Sequence, residues 1–171
     1  MERVLHGVFL VIHELGVLLA GAPGCGKSRL GLELVARGHA LVADDCALFQ
    51  VTDQGLVGTP PPHTGEFLHV RGLGAFNIRR QFGDEALCPQ HLLHLIIELD
   101  PATTGRDSAN LQPPLTKETR HGVAVAVLRV APPWPGPALV EALVARHRLA
   151  LAGYDTAAHL VGRQGRAGHG T

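Results

Sequence analysis

Eight consecutive residues, Gly21-Ala22-Pro23-Gly24-Cys25-Gly26-Lys27-Ser28, match the pattern GxxxxGK[ST] at every constrained position. Glycines in such a loop let backbone amides turn inward around phosphate oxygens, and the helix that follows adds its positive dipole end. Lys27 would reach the β- and γ-phosphates, and the Ser28 hydroxyl would ligate magnesium. The chain has only two lysines, and one of them falls in the motif. The pattern also fixes its surroundings. Residues 17–20 are an apolar run before it, and residues 27–37 place Leu30 and Leu34 on one helical face before Gly38 stops the helix. Residues 5–12 and 17–20, separated by a turn-like segment at 13–16, predict a hairpin leading into the loop. Strand, phosphate loop, helix and a further strand at 40–43 predict an α/β fold, a P-loop sheet flanked by helices.

Asp44-Asp45 follow the strand at 40–43. Ligands of parallel sheets sit beyond the carboxyl ends of the strands, so this pair should face the crevice of the loop. One carboxylate near the metal and a second that accepts a hydroxyl proton are what phosphoryl transfer needs. The same pair would also serve as a turn or helix cap, but its place after the loop favours chemistry. If the hairpin turn centres near Glu14, cross-strand partners sum to about 28 and His6 lies opposite Ala22, at the loop's mouth. A histidine there would aid proton transfer or be structural. His91 and His94, with two residues between them within or beside a strand, are expected on different faces or at a strand boundary, as solvated side chains. Arg71, Gly72 and Gly74 read as a charged, rigid turn.

At 171 residues, the chain fits one domain. Aromatics supply only 4% of it, so the core must come from aliphatic residues. Lys plus Arg and Asp plus Glu balance at 15 each with no basic block, which removes the footprint of a nucleic-acid binder. Three cysteines without a CxxC give neither a disulfide framework nor a zinc site, and point to a reducing compartment. The apolar stretch at 4–20 is split by His13-Glu14 and is shorter than the roughly 20 residues of a membrane span. It carries no signal-peptide cleavage site either, so the expected location is cytoplasmic. Further strands are expected at 46–51, 56–58, 92–99 and 123–130, and helices at 76–82, 139–149 and 155–161. Prolines make loops of 58–65 and 132–137. Residues 100–121 read as polar and irregular, and 163–171 as a disordered tail after a domain of residues 1–162.

In order and spacing, His6-Gly7, GAPGCGKS, ELVARGHALVADD, VRGLGAFNIRRQFG and the terminal LAGYDTAAHLVGRQ resemble the catalytic domain of bacterial HPr kinase/phosphorylase. The likeness runs over 6–82, lapses across much of 100–137 and returns at 150–164. It implies an ATP- and magnesium-dependent protein kinase that phosphorylates a serine of the phosphocarrier HPr. In the family the same site removes that phosphate by phosphorolysis, as part of carbon-metabolism control. Residues 21–28 would bind ATP, with Ser28 and Asp45 on magnesium and Asp44 as proton acceptor, or donor in reverse. His6 and Lys27 match the family's other active-site positions. Arg71 opens a segment, 71–77, associated with both reactions. The resemblance also implies a homo-oligomer, a hexamer in the family, and a short form without the N-terminal domain of longer members.

Departures from the pattern set the alternatives. The Glu that usually precedes VRGLG and helps hold magnesium stands here as His69, with Glu66 the nearby carboxylate. Imidazole is a poor magnesium ligand because this hard ion prefers oxygen. Arg106 and Asn110 are the candidates for a later active-site position. The segment tied to dephosphorylation reads Pro133-Trp134-Pro135-Gly136-Pro137, without its two arginines, so the kinase direction is the stronger expectation. Competing readings are a P-loop kinase of a small metabolite, which needs more lid arginines than Arg106 and Arg120, and a degenerate ATP-binding regulator.

Overall fold

A computed structural model describes residues 3–103 and 115–167. Its strands are β1 (Arg3–His6), β2 (Val8–Ile12), β3 (Leu15–Gly21), β4 (Ala40–Ala43), β5 (Cys46–Thr52), β6 (Gly55–Thr59), β7 (Phe67–Val70), β8 (Gly74–Asn77), β9 (His91–Leu99), β10 (Leu115–Arg120) and β11 (Val123–Val130). The helices are α1 (Lys27–Ala36), α2 (Ile78–Phe82), α3 (Pro137–Leu151) and α4 (Thr156–Ala167). Across the main sheet the order is β10-β11-β9-β3-β2-β4. β11, β9 and β3 are parallel, and β2 is antiparallel to both β3 and β4. β3 and β4 therefore run the same way and end at one edge, with β2 between them.

Alternation along the strands sorts side chains to two sides. Val8, Leu10 and Ile12 of β2 join Leu30 and Leu34 of α1 and Val140 and Val144 of α3 in one core. Phe9 points the other way, into a second core with Phe49 of β5, Leu56 of β6 and Ile96 of β9. That second core exists because the sheet folds over. β6 pairs with the start of β9 (Val57↔Leu92), and β5 and β1 follow it across the face opposite α1. The sheet is flanked by helices as the sequence predicts: α1 and α3 cover one face, while β1-β5-β6 cover the other.

Two neighbouring turns correct the hairpin reading. β2 pairs Ile12 with Leu15, so the turn is His13-Glu14 alone, both with positive φ (47° and 67°). Cross-strand numbers then sum to 27, as in Val8↔Leu19. Gly7 (φ 148°) breaks the run at 5–12, and its amide donates to the Asp45 carbonyl at 2.8 Å. His6 consequently pairs with Cys46 on β5 and is not opposite Ala22.

Other elements were misjudged from sequence. β10 occupies 115–120, inside the stretch read as irregular, as an edge strand with mostly exposed side chains. β7 and β8, which the sequence reading did not name as strands, pair around 71–73, where it did place a turn. α2 starts at Ile78, where the Asn77 side chain accepts from the Arg80 amide, rather than at 76. α4 continues through Ala167, so residues 163–167 extend a helix instead of opening a tail. Arg106, Asn110 and residues 168–171 lie outside the described residues.

Candidate active site

The phosphate-loop residues connect β3 to α1. Gly24 (φ 79°) and Gly26 (φ 95°) adopt the left-handed backbone that glycine takes without strain, and Gly26 is the N-cap of α1. No acidic residue sits in the first turn of α1, leaving its amide end electropositive. The Lys27 ammonium donates to the carbonyls of Gly21 and Ala22, each at 2.9 Å, and so spans the loop from inside.

Across from the loop stands the end of β4. The Ser28 hydroxyl donates to Asp44 Oδ1 at 2.8 Å, joining the first turn of α1 to the strand end. Asp44 Oδ2 accepts the main-chain amide of His69 at 2.7 Å, which stitches β7 to the same point. Both Asp44 oxygens are thus engaged. Asp45 is exposed, and its left-handed backbone (φ 64°) turns it away from the direction of Asp44. Burial first, then the carboxylates of Asp45 and Asp44, push the Cys46 thiol up and keep it protonated.

The β7–β8 hairpin closes a third side. Leu68 and Val70 are buried in the helix-side core, so His69 and Arg71 point outward. Arg71 hangs over the loop: a methyl added to Gly24 would lie 3.2 Å from its Nη1. A cleft of about 550 Å³ gathers Gly24, Gly26, Lys27, Ser28, Asp44, Asp45, His69 and Arg71, together with Val8, Pro23, Arg29 and Val70. Ser28 and Asp44 offer the hard oxygens that magnesium prefers, and a phosphate-bound magnesium needs only one or two protein ligands besides water. Among the described residues no cluster of three or more His, Cys, Asp or Glu forms a metal site. The residues present fit a nucleotide-borne cation and a triphosphate.

Some expected residues fall elsewhere. His6 is exposed on β1 and does not line the cleft. Glu66 is held by Arg79 at 3.1 Å and lies outside the cleft, so it does not replace the carboxylate missing at 69. His91 and His94 come together, with ring centroids 5.7 Å apart, because the β3–β9 register shifts between Gly16 and Val17. They are partly buried rather than solvated, and His94 Nδ1 accepts the Gly16 amide at 3.0 Å. Sequence reasoning missed Arg29 as a lining residue, although its place directly after Ser28 was the available signal. Among the described residues no helix is long and apolar enough to cross a membrane.

The family described as HPr Serine kinase C-terminal domain matches residues 1–164. HPr kinase/phosphorylase of Chromobacterium violaceum is 42% identical over 95% of this chain and 53% of that protein. The Xylella fastidiosa protein of that name is 41% identical over 95% of this chain and 53% of its own length. The chain spans about half the length of the curated relatives it matches. The solved Hpr(Ser) kinase/phosphatase from Coxiella burnetii superposes with a TM-score of 0.80 at 34% identity, covering 92% of this chain and 98% of that one. On sequence and fold, the chain belongs to the HPr serine kinase C-terminal domain family.

Proposed function

We propose that the chain is the catalytic unit of an ATP- and magnesium-dependent kinase that phosphorylates a serine of an HPr-type phosphocarrier. The observation that carries the reading is the 2.8 Å hydrogen bond from Ser28 to Asp44, which sets a carboxylate across from a complete phosphate loop. Loop amides and Lys27 grip the triphosphate, while Ser28 and Asp44 would hold magnesium. When bound, that ion neutralises charge on the transferring phosphate. Asp45, with its carboxylate exposed in the cleft, takes the proton as the serine O–H bond breaks. The serine oxygen then bonds to the γ-phosphorus, and the bond from that phosphorus to the β-phosphate oxygen breaks, leaving ADP. This exchanges the roles that family resemblance alone suggested for the two aspartates, because Asp44 is tied to Ser28 and the β7 backbone beside the phosphate loop, whereas Asp45 is the exposed carboxylate. Arg71, over the loop, stabilises charge on the phosphoryl oxygens.

Phosphorolysis in the reverse direction is a weaker activity in this proposal, since residues 133–137 carry no arginine. The reading includes a homo-oligomer, for which exposed Leu149, Leu151, Leu160 and Val161 supply apolar surface. It also includes a cytoplasmic setting, which three free thiols suit. The test is γ-labelled ATP with HPr and with an HPr lacking its regulatory serine. Label is expected on the first and not on the second.

A second reading, an ATP-binding regulator without transfer, draws on His69 occupying the cleft where a carboxylate would serve magnesium. It predicts bound ATP and unlabelled HPr. Loss of one metal carboxylate weakens transition-state stabilisation by about 2–4 kcal/mol, enough to slow transfer rather than abolish it. His69→Glu is accordingly expected to raise the rate and lower the magnesium needed for half-maximal velocity. An unchanged rate rules out this account of His69.

A further inference from the structure

A second cleft, of about 440 Å³, opens on the other side of the α1 N-terminus. Cys25, Gly26 and Arg29 form its near wall, Leu99 its floor, and Trp134 and Pro135 its far wall. Gly26 and Arg29 line both clefts, so the two meet at the first turn of α1. The far wall comes from the segment between β11 and α3. Pro135 is buried, and Trp134 packs one side against the helix-side core while remaining partly exposed. An indole held rigidly beside open space offers a flat surface for stacking.

Resting on the nucleotide reading above, we infer that this second cleft is the nucleobase subsite, with the base stacked on Trp134. The direction follows from the chemistry of the loop. Lys27 serves the β- and γ-phosphates, and Asp44, Asp45 and Arg71 mark the end where phosphate leaves. The α-phosphate and ribose must depart by the opposite end, past the first turn of α1. Arg29 lies there, exposed and lining both clefts, with its guanidinium 3.2 Å from Glu33. What a nucleoside triphosphate presents next is an aromatic base, and the aromatic surface at that position is Trp134. Stacking of this kind tolerates different bases, so discrimination between ATP and other nucleoside triphosphates is expected to be modest.

Trp134 is the chain's single tryptophan, so tryptophan emission reports this cleft alone. The experiment compares ATP with inorganic tripolyphosphate, both with magnesium, by fluorescence and calorimetry on the whole chain. ATP is expected to quench Trp134, while tripolyphosphate binds the loop and leaves the emission unchanged. Trp134→Leu is expected to weaken ATP about tenfold and tripolyphosphate not at all, with Trp134→Phe recovering most of the loss. If ATP and tripolyphosphate bind without any difference in fluorescence, or if Trp134→Leu weakens both alike, the base does not sit on Trp134 and the phosphate-loop reading stands. If neither ligand gives heat or quenching, the nucleotide reading itself fails, and the subsite with it. The wild-type comparison decides the matter even where a variant folds poorly.

Discussion

At the end of β4 two neighbouring carboxylates keep different company. Asp44 accepts from the Ser28 hydroxyl and the His69 amide, while Asp45 is exposed in a left-handed conformation. Asp45→Asn keeps that backbone, because asparagine tolerates positive φ. It is expected to lower phosphoryl transfer by about 10²–10⁴ and leave ATP affinity unchanged. Asp44→Asn exchanges a charged acceptor for a neutral one at the Ser28 contact, and is expected to weaken ATP binding in magnesium about tenfold. Calorimetry for binding and label transfer for rate separate the two. Equal effects from both variants would show that the aspartates act as one unit. The site was largely legible here: the motif and the acidic pair are local patterns. Which of the two carboxylates is engaged was not, since it depends on which one the β7 backbone meets.

Among the elements, β9 and α3 partly bury two histidines whose titration opposes folding. Burial, followed by the charge of neighbouring His91, pushes His94 down. Burial likewise pushes down His147 on α3, whose Nε2 has no hydrogen-bond partner among the described residues. A histidine depressed in the folded state binds its proton more readily when unfolded. Stability is therefore complete above about pH 6.5 and falls as pH drops below it. His147 borders a small cavity lined by Leu95, Leu115, Leu128 and Leu143, which leucine would suit. His147→Leu is expected to flatten the decline in urea midpoint between about pH 7 and 5, and an unchanged slope would assign it to His94 alone. The α1–α3 tie behaves differently. Hydrogen bonds from the Arg37 guanidinium, at 2.7 Å, and then from His39 hold Glu141 at about 2. Its contribution is present above the ordinary carboxylate range and is lost as pH falls through it toward 2. Glu141→Gln is expected to lower the melting temperature at pH 7 and to have little effect at pH 2, where the wild type has lost the same interaction.

For the molecule as a whole, the second core decides the shape. Phe9 and Phe49 meet with ring centroids 5.3 Å apart where the folded-over strands lie on the main sheet. Gly58 of β6 permits that approach, since a methyl there would fall 2.6 Å from both rings. Gly58→Ala is expected to cost about 1–3 kcal/mol by forcing the rings apart, read as a lower urea midpoint. Its effect on ATP affinity should be small, because the contact lies on the sheet face opposite α1. A variant as stable as the wild type would mean that the two layers are loosely packed. The layer also explains why the site sits at an edge. With one sheet face closed by strands and the other by α1 and α3, the strand ends beside the loop are the open side.

By itself the sequence determined the phosphate loop, the helix behind it, the acidic pair beyond the next strand and the long apolar β9. Each is written in adjacent residues or in a short period, and neither depends on a distant partner. Tertiary structure alone decided that β1 leaves β2 at Gly7 to pair with β5, carrying His6 away from the loop. It also decided that a register shift brings His91 beside His94, and that the polar segment 115–120 pairs as an edge strand. Periodicity reports which face of a strand is apolar, but the choice of neighbour and register rests on packing between residues far apart in the chain.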